Sequence, residues 1–337
     1  MFNPRQTIVR SVSPDRPDAS IISEAAEIIR RGGLVAFPTE TVYGLGASAL
    51  DGKAVESIFD AKGRPPTNPI IVHVASVQAA QHLVLDWSPL ASRLAERFWP
   101  GPLTLVLAKR PIVPDIVTAG ASTVGIRGPA HPVAFALLQA AQIPIAAPSA
   151  NRSSEVSPTT AEHVQKALDG RVDLILDGGP TAGGLESTVL DLTVDPPRVL
   201  RPGLVTIAQL EGVLGAIDWN EASRNRGGPA RSPGLMERHY APRAKLQCVD
   251  RKSAAVVQEL LTIGNRVGWL RLRPSADVPE GIVVIDMPSD ADTYAAQLYA
   301  ALHELDDAGV NEIVVDLPPQ GDAWLAIHDR LRRASAN

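Results

Sequence analysis

From Gly33 onward the chain alternates short apolar runs, each closed by turn residues, with stretches of helical periodicity, and this alternation restricts its fold more than any other feature. Residues 34–37, 70–74, 103–108, 123–127, 143–147, 172–176 and 188–192 read as strands: they are apolar, often β-branched, long enough for a buried strand and too short for a stable helix. Helices fit at 19–31, 53–61, 88–98, 132–140, 160–168 and 207–214. Asp51 stands where a side chain accepts from the free amides of the next helix, and Thr159-Thr160 before Ala161-Glu162 gives a second start signal. Residues 1–215 are therefore expected to form one α/β domain around a twisted mixed sheet.

The pattern then breaks. Gly227-Gly228-Pro229, Ser232-Pro233-Gly234 and Ala241-Pro242 interrupt any regular element, so residues 216–245 read as a connector. It is mostly basic and carries His239-Tyr240 near its end, a bias that solubility alone also explains. A second series follows, with strands at 246–249, 267–272, 282–286 and 312–317 and helices at 252–262, 290–305 and 323–333. Residues 246–337 are expected to form a smaller open α/β domain, and their 14 acidic against 8 basic residues make a nucleic-acid backbone a poor partner for that surface.

A chain of 337 residues with 45% hydrophobic content is able to close two such cores. Cys248 is its one thiol, which excludes an intrachain disulfide, a cysteine-rich zinc site and a Cys-x-x-Cys pair, and suits a reducing, cytoplasmic compartment. No signal peptide is visible, and the apolar runs fall far short of the roughly 20 residues that cross a bilayer, so a soluble protein without a membrane partner is expected. The formal charge of -5 argues against broad, non-specific nucleic-acid binding but leaves room for a local basic pocket.

Polar residues gather at strand ends, where α/β sheets present chemistry without breaching the core. Pro38-Thr39-Glu40-Thr41-Val42-Tyr43-Gly44-Leu45-Gly46 follows the first apolar strand; a strand-to-helix turn with threonine caps has the same appearance. Lys62-Gly63-Arg64 sits on a segment bounded by glycine and proline, which would aim a compact ammonium and a planar guanidinium at one polyanion, although a carboxylate-paired or solvated surface pair reads the same way. Ser149-Ala150-Asn151 begins at another strand end and supplies a hydroxyl and an amide, which are equally good turn residues. Gly183-Gly184-Leu185-Glu186-Ser187-Thr188 and Arg201-Pro202-Gly203 carry the same ambiguity. There is no Gly-x-x-x-x-Gly-Lys-Ser/Thr loop and no His-Glu-x-x-His, which disfavours a P-loop ATPase and a catalytic zinc. Residue chemistry alone reaches an α/β enzyme that binds an anion.

Taken in order, Pro38 to Gly46, Lys62-Gly63-Arg64, Asn68-Pro69, Ser149-Ala150-Asn151, Ser157-Pro158-Thr159 and Glu186-Ser187-Thr188 resemble the threonylcarbamoyl-AMP synthase family, and Ser232-Pro233-Gly234 with Arg238-His239-Tyr240-Ala241-Pro242 resembles the connector of its long form. The resemblance implies a YrdC-like twisted mixed-sheet catalytic domain, a connector over the active site and a C-terminal Rossmann-like α/β domain. It implies an enzyme that joins L-threonine, bicarbonate and ATP into threonylcarbamoyl-AMP and pyrophosphate, for tRNA-modifying transferase proteins. Lys62, Arg64, Ser149, Asn151, Arg201, His239 and Tyr240 are the implied ATP residues, with Lys62 and Arg64 catalytic; Thr39, Tyr43, His73, Arg127, Ser187 and Thr188 are the implied threonine pocket. Mg²⁺ is expected with ATP rather than at a fixed protein site, with no tightly bound organic cofactor. Direct tRNA contact stays open. The competing readings are a carbamoyl-adenylate transferase, which usually brings further catalytic domains, and an RNA-binding module, which needs a broad basic face.

Overall fold

A computed structural model describes residues 6–219, 239–250, 252–272 and 278–336. Ser232-Pro233-Gly234 and Arg238 of the connector lie outside the described residues. The chain divides into two compact units, one of Met1–Ser153, Pro158–Ala182 and Glu186–Leu235, the other of Ser154–Ser157, Gly183–Leu185 and Met236–Asn337.

The first unit runs β1 (Ile8–Ser11), α1 (Ala19–Arg30), β2 (Val35–Phe37), β3 (Gly44–Ser48), α2 (Gly52–Lys62), β4 (Val72–His73), α3 (Val77–Gln81), α4 (Pro89–Phe98), β5 (Leu103–Ala108), α5 (Asp115–Thr118), β6 (Thr123–Arg127), α6 (Pro132–Ala141), β7 (Ile145–Ala146), α7 (Ala161–Leu168), β8 (Leu174–Asp177), β9 (Thr188–Asp191), β10 (Arg198–Arg201) and α8 (Ile207–Leu214). Among the described residues, ten strands join one mixed sheet in the order β1-β8-β2-β3-β7-β4-β6-β5-β9-β10. Hydroxyl or carboxylate side chains cap six of the unit's eight described helices, α5 and α6 being the exceptions. Asp51 accepts from the amides of Lys53 and Ala54, Thr160 from that of His163, and Thr206 forms a reciprocal capping box with Gln209.

The short apolar strands are buried on both faces, and side-chain alternation divides them between two cores. In β2, Ala36 joins the core built on α2, α4 and α7, whereas Val35 and Phe37 join the one built on α1 and α6. Strand β8 does the same, with Ile175 in the first core and Leu174 and Leu176 in the second. Strand β5 differs: Leu103, Leu105 and Leu107 enter the first core, while Thr104 belongs to neither and Val106 makes a small patch with Ile71 and Val189. That face carries a cleft lined by Pro69, Ile71, Thr104, Val106, Thr123, Gly125 and Val189.

The second unit contains β11 (Lys245–Val249), α9 (Ser253–Thr262), β12 (Val267–Arg271), β13 (Val283–Asp286), α10 (Ala291–Asp307), β14 (Glu312–Asp316) and α11 (Leu325–Ala334). Its sheet is parallel, in the order β11-β14-β12-β13. Asp316, at the end of β14, receives the indole N–H of Trp269 at 2.8 Å and the amide of Leu272 at 3.0 Å. The chain thus has the two-part α/β architecture expected, a mixed sheet followed by a smaller parallel one.

Three strands of the first sheet were not expected. Strand β3 is antiparallel to β2, so Pro38–Tyr43 forms the bend of a hairpin, not a turn into a helix. Glycines are poor strand formers, which hid Gly44-Leu45-Gly46 from a propensity reading. Strand β1 sits at the sheet edge with exposed Val9 and Arg10, and β10 carries arginine at both ends, so neither shows an apolar run. Among the described residues, no helix is long and apolar enough to cross a membrane.

Candidate active site

Helix α2 ends at Lys62, and Gly63 takes the left-handed conformation (φ 60°, ψ 39°) that closes a helix with least strain when there is no Cβ. The Gly63 amide donates to Asp60 at 3.2 Å and that of Arg64 to Phe59 at 2.9 Å. Lys62 therefore lies on the helix, not on a loop, and is only 2% exposed. A buried ammonium needs acceptors to replace water. Its Nζ donates to the carbonyl oxygens of Ser149 and Asn151, both at 2.5 Å, and to Asn151 Oδ1 at 3.3 Å. Ser149 Oγ donates to the same Oδ1 at 2.5 Å, and Asn151 Nδ2 donates to Arg152 O at 2.9 Å. The Lys-x-Arg and Ser-x-Asn segments thus form one hydrogen-bonded assembly. Arg64, also buried, donates from Nη2 to Pro69 O at 3.1 Å.

The bend of the β2–β3 hairpin builds a second cluster. Thr39 Oγ1 accepts from the amides of Thr41 and Val42 at 3.2 and 3.3 Å, and lies 2.7 Å from both Thr41 Oγ1 and Val42 O. Arg127, 4% exposed at the end of β6, donates from Nη1 to Thr41 Oγ1 at 3.0 Å and from Nε to Gly101 O at 3.2 Å. Its Nη2 lies 2.7 Å from Glu40 Oε1. His73 is its register partner on the parallel strand β4, edge-on to Phe37 with ring centroids 6.4 Å apart. Burial first, and then the positive charge of Arg127, push the His73 pKa down to about 3, so the imidazole is neutral at physiological pH. Tyr43 donates its hydroxyl to Gly179 O at 2.7 Å, and burial, with the Asp177 charge, raises its pKa.

A third cluster closes around Ser187. Ser187 Oγ lies 2.8 Å from Thr104 Oγ1, and Arg201 Nη2 reaches Ser187 O at 2.9 Å and Ser187 Oγ at 3.3 Å. Thr188 Oγ1 donates to Val205 O at 2.6 Å and accepts from the Val205 amide at 3.0 Å. Gly203 permits this closure: a Cβ there would run into the backbone of Glu186, Ser187 and Thr188.

Eleven of the expected site residues thus fall into three clusters of the first unit: Lys62, Arg64, Ser149 and Asn151; Thr39, Tyr43, His73 and Arg127; and Ser187, Thr188 and Arg201. His239 and Tyr240 belong to the second unit. There the Tyr240 ring lies under the Arg330 guanidinium, 5.0 Å from its carbon, and stacks on Tyr299 at 5.8 Å, with His239 edge-on at 4.0 Å. Glu40, Thr41 and Thr104 were not singled out from the sequence, although the first two sit inside the motif that flagged Thr39 and Tyr43. Thr104 carried no signal, since it is one polar residue inside an apolar strand. Among the described residues, no group of three His, Cys, Asp or Glu side chains is placed to hold a metal.

A mixed sheet that gathers buried cations, hydroxyls and amides at its strand ends, followed by a parallel α/β unit, defines a YrdC-like protein of two domains. Residues 27–203 match the family model described as Telomere recombination, and residues 205–336 match that of the threonylcarbamoyl-AMP synthase C-terminal domain. The threonylcarbamoyl-AMP synthase of Pyrococcus abyssi is 44% identical over 92% of this chain and 93% of its own length, and that of Bacillus subtilis is 44% identical over 93% and 92%. The crystal structure of Pyrococcus abyssi Sua5 complexed with L-threonine superimposes with a TM-score of 0.92 at 42% identity, covering 97% of both chains. The chain belongs to the threonylcarbamoyl-AMP synthase family.

Proposed function

We propose that this protein is an L-threonylcarbamoyladenylate synthase, a nucleotidyltransferase that forms threonylcarbamoyl-AMP and pyrophosphate from L-threonine, bicarbonate and ATP. The observation that carries the reading is the likeness, over nearly the whole of both chains, to a relative whose structure holds L-threonine. The threonine amine attacks the bicarbonate carbon, and water is lost as the carbamate forms. A carbamate oxygen then attacks the α-phosphorus of ATP, and pyrophosphate leaves.

Neither step needs a covalent enzyme nucleophile, so the protein contributes positioning and charge. We assign ATP to Lys62, Arg64, Ser149, Asn151 and Arg201, with His239 and Tyr240 from the connector. In this reading Arg64 neutralises phosphate charge as it moves toward pyrophosphate, and Lys62 holds Ser149 and Asn151 rigid against the nucleotide. Threonine is assigned to Thr39, Tyr43, His73, Arg127, Ser187 and Thr188. Arg127 takes the carboxylate, and His73, being neutral, adds no second positive charge. Mg²⁺ is assigned to the ATP phosphates, where it screens the leaving group; Lys, Arg, Ser and Asn suit a metal carried by phosphate better than a resident ion. We assign the connector, residues 216–245, a cover role on its family pattern of Arg238-His239-Tyr240-Ala241-Pro242 alone. The intermediate passes, in a cytoplasmic setting, to a tRNA threonylcarbamoyl-transferase protein.

Purified protein incubated with threonine, bicarbonate, ATP and Mg²⁺ is expected to yield a threonine-dependent adenylate and pyrophosphate in equal amounts. Product formation from carbamoyl phosphate without threonine supports the carbamoyltransferase reading instead, and tRNA binding with no ATP-dependent product supports an RNA-binding module.

A further inference from the structure

We propose that Glu40 recognises the α-ammonium of the amino-acid substrate, so that the Glu40–Arg127 pair reads a zwitterion. The inference deepens the proposed function and rests on its assignment of Arg127 to the substrate carboxylate.

The Arg127 guanidinium is fixed from two sides, by Nη1 on Thr41 Oγ1 and by Nε on Gly101 O. What remains is Nη2. It lies 2.7 Å from Glu40 Oε1, yet the two atoms are not aligned as a hydrogen bond. Both Glu40 carboxylate oxygens are buried with no hydrogen-bond partner among the described residues. The pair is joined by charge alone. A committed arginine–carboxylate fork looks different: Arg271 donates to both oxygens of Asp286, at 2.6 and 2.9 Å. Besides Arg127, the charge of Glu40 acts on the imidazole of His131.

A desolvated carboxylate without donors is unfavourable, and an arginine nitrogen lacking an aligned acceptor has the complementary deficit. An α-amino acid remedies both. Its carboxylate gives Nη2 an aligned acceptor, and its ammonium gives Glu40 up to three donors. A 2-hydroxy acid remedies only the first and sets its own negative charge near that of Glu40, so it is selected against.

The test is calorimetric titration of the full chain with L-threonine and with 2,3-dihydroxybutanoate, the same skeleton with a hydroxyl in place of the ammonium. The wild type is expected to prefer threonine by about tenfold or more, as one charge-assisted contact requires. Glu40→Gln is expected to weaken threonine binding while leaving dihydroxybutanoate unchanged or tighter, because the competing carboxylate is gone, so the preference collapses toward one. Equal weakening of both ligands, or an unchanged preference, overturns the inference by reducing Glu40 to a support for Arg127. If Glu40→Gln does not fold, Glu40→Asp decides: its shorter carboxylate is expected to reduce the preference about threefold, and an undiminished preference overturns the inference. A wild type that binds both ligands equally overturns this inference alone, whereas one that binds no threonine overturns the proposed function.

Discussion

Lys62 and Asn151, 89 positions apart in sequence, are joined twice, by the lysine Nζ to the asparagine carbonyl oxygen at 2.5 Å and to its Oδ1 at 3.3 Å. This lysine holds a loop in place from inside the protein. The Lys62→Ala variant is therefore expected to lose both activity and stability. Stranding two or three buried acceptors costs about 1–3 kcal/mol each before relaxation or entering water reduces the sum. Thermal melts should fall by several degrees together with adenylate formation. An unshifted melt with lost activity would mean that Lys62 acts on the nucleotide alone.

Arg64→Ala should behave differently. The assignment of Arg64 to phosphate charge predicts a fall in adenylate formation of roughly tenfold to more than a hundredfold, from one charge-assisted contact worth about 1.5–3 kcal/mol in the transition state. Its melt should move less than that of Lys62→Ala. Single-turnover rates at saturating and limiting ATP separate binding from chemistry, and near-normal turnover at limiting ATP refutes the assignment.

These two residues also mark what was legible in the sequence. Strands 103–108 and 123–127 and helix 207–214 were readable in full because their apolar periodicity is local. The segments of the site were readable as short polar strings at the ends of strands and, for Lys62-Gly63-Arg64, of a helix. Their depth was not, because lysine and arginine are ordinarily surface residues and nothing local announces that Lys62 and Arg64 are buried. Nor was the meeting of Glu40 with Arg127, which depends on a hairpin disguised by glycines and on sheet neighbours distant in sequence.

His73 gives the fold a pH dependence of definite sign. Its folded pKa of about 3 lies below the ordinary value of 6.5, so between these two values the unfolded chain binds the extra proton. Stability should therefore rise with pH across that window and level off above about 6.5, with a slope of at most about 1.4 kcal/mol per pH unit from this group. His131, also lowered, chiefly by burial, contributes in the same direction. Urea unfolding at a series of pH values should show a shallower slope in His73→Gln than in the wild type. Identical slopes would show that His73 is not held neutral by the fold.

Gly203→Ala tests the closure of the third cluster. The added methyl would collide with backbone atoms of Glu186, Ser187 and Thr188, which yield less readily than a flexible side chain. Relief requires the segment between β10 and α8 to move away from the start of β9, at a cost of about 1–3 kcal/mol. The hydrogen bonds of Thr188 to Val205 and of Arg201 to Ser187 should loosen with it. Gly215→Ala makes a useful comparison: its φ of 78° is strained for alanine, but its Cβ meets nothing, so it carries only the backbone penalty. Equal melts for the two variants would remove the close-approach argument.

The last prediction concerns α11 in the second unit. The carboxylate of Asp329, 4% exposed, receives Arg330 Nη1 at 2.6 Å, Arg332 Nη2 at 3.1 Å and Arg333 Nε at 3.1 Å. Arg330, 1% exposed, then presents its guanidinium to the Tyr240 ring, and the His239 amide donates to Arg333 O at 3.3 Å. One buried anion thus serves two buried arginines and, through them, orients His239 and Tyr240. Asp329→Ala removes the buried carboxylate that these arginines share and should destabilise the second unit by about 3–5 kcal/mol. The exposed Lys166–Glu162 pair, by contrast, should change stability by no more than about 0.5 kcal/mol when broken. Asp329→Glu retains the charge and should recover part of the loss; Asp329→Asn should recover less, since it keeps the shape without the charge. Chemical denaturation of the four full-length variants, Glu162→Gln among them, orders these effects. A loss in Asp329→Ala no larger than in Glu162→Gln would mean that the arginines find other acceptors and that Asp329 does not organise this end of the connector.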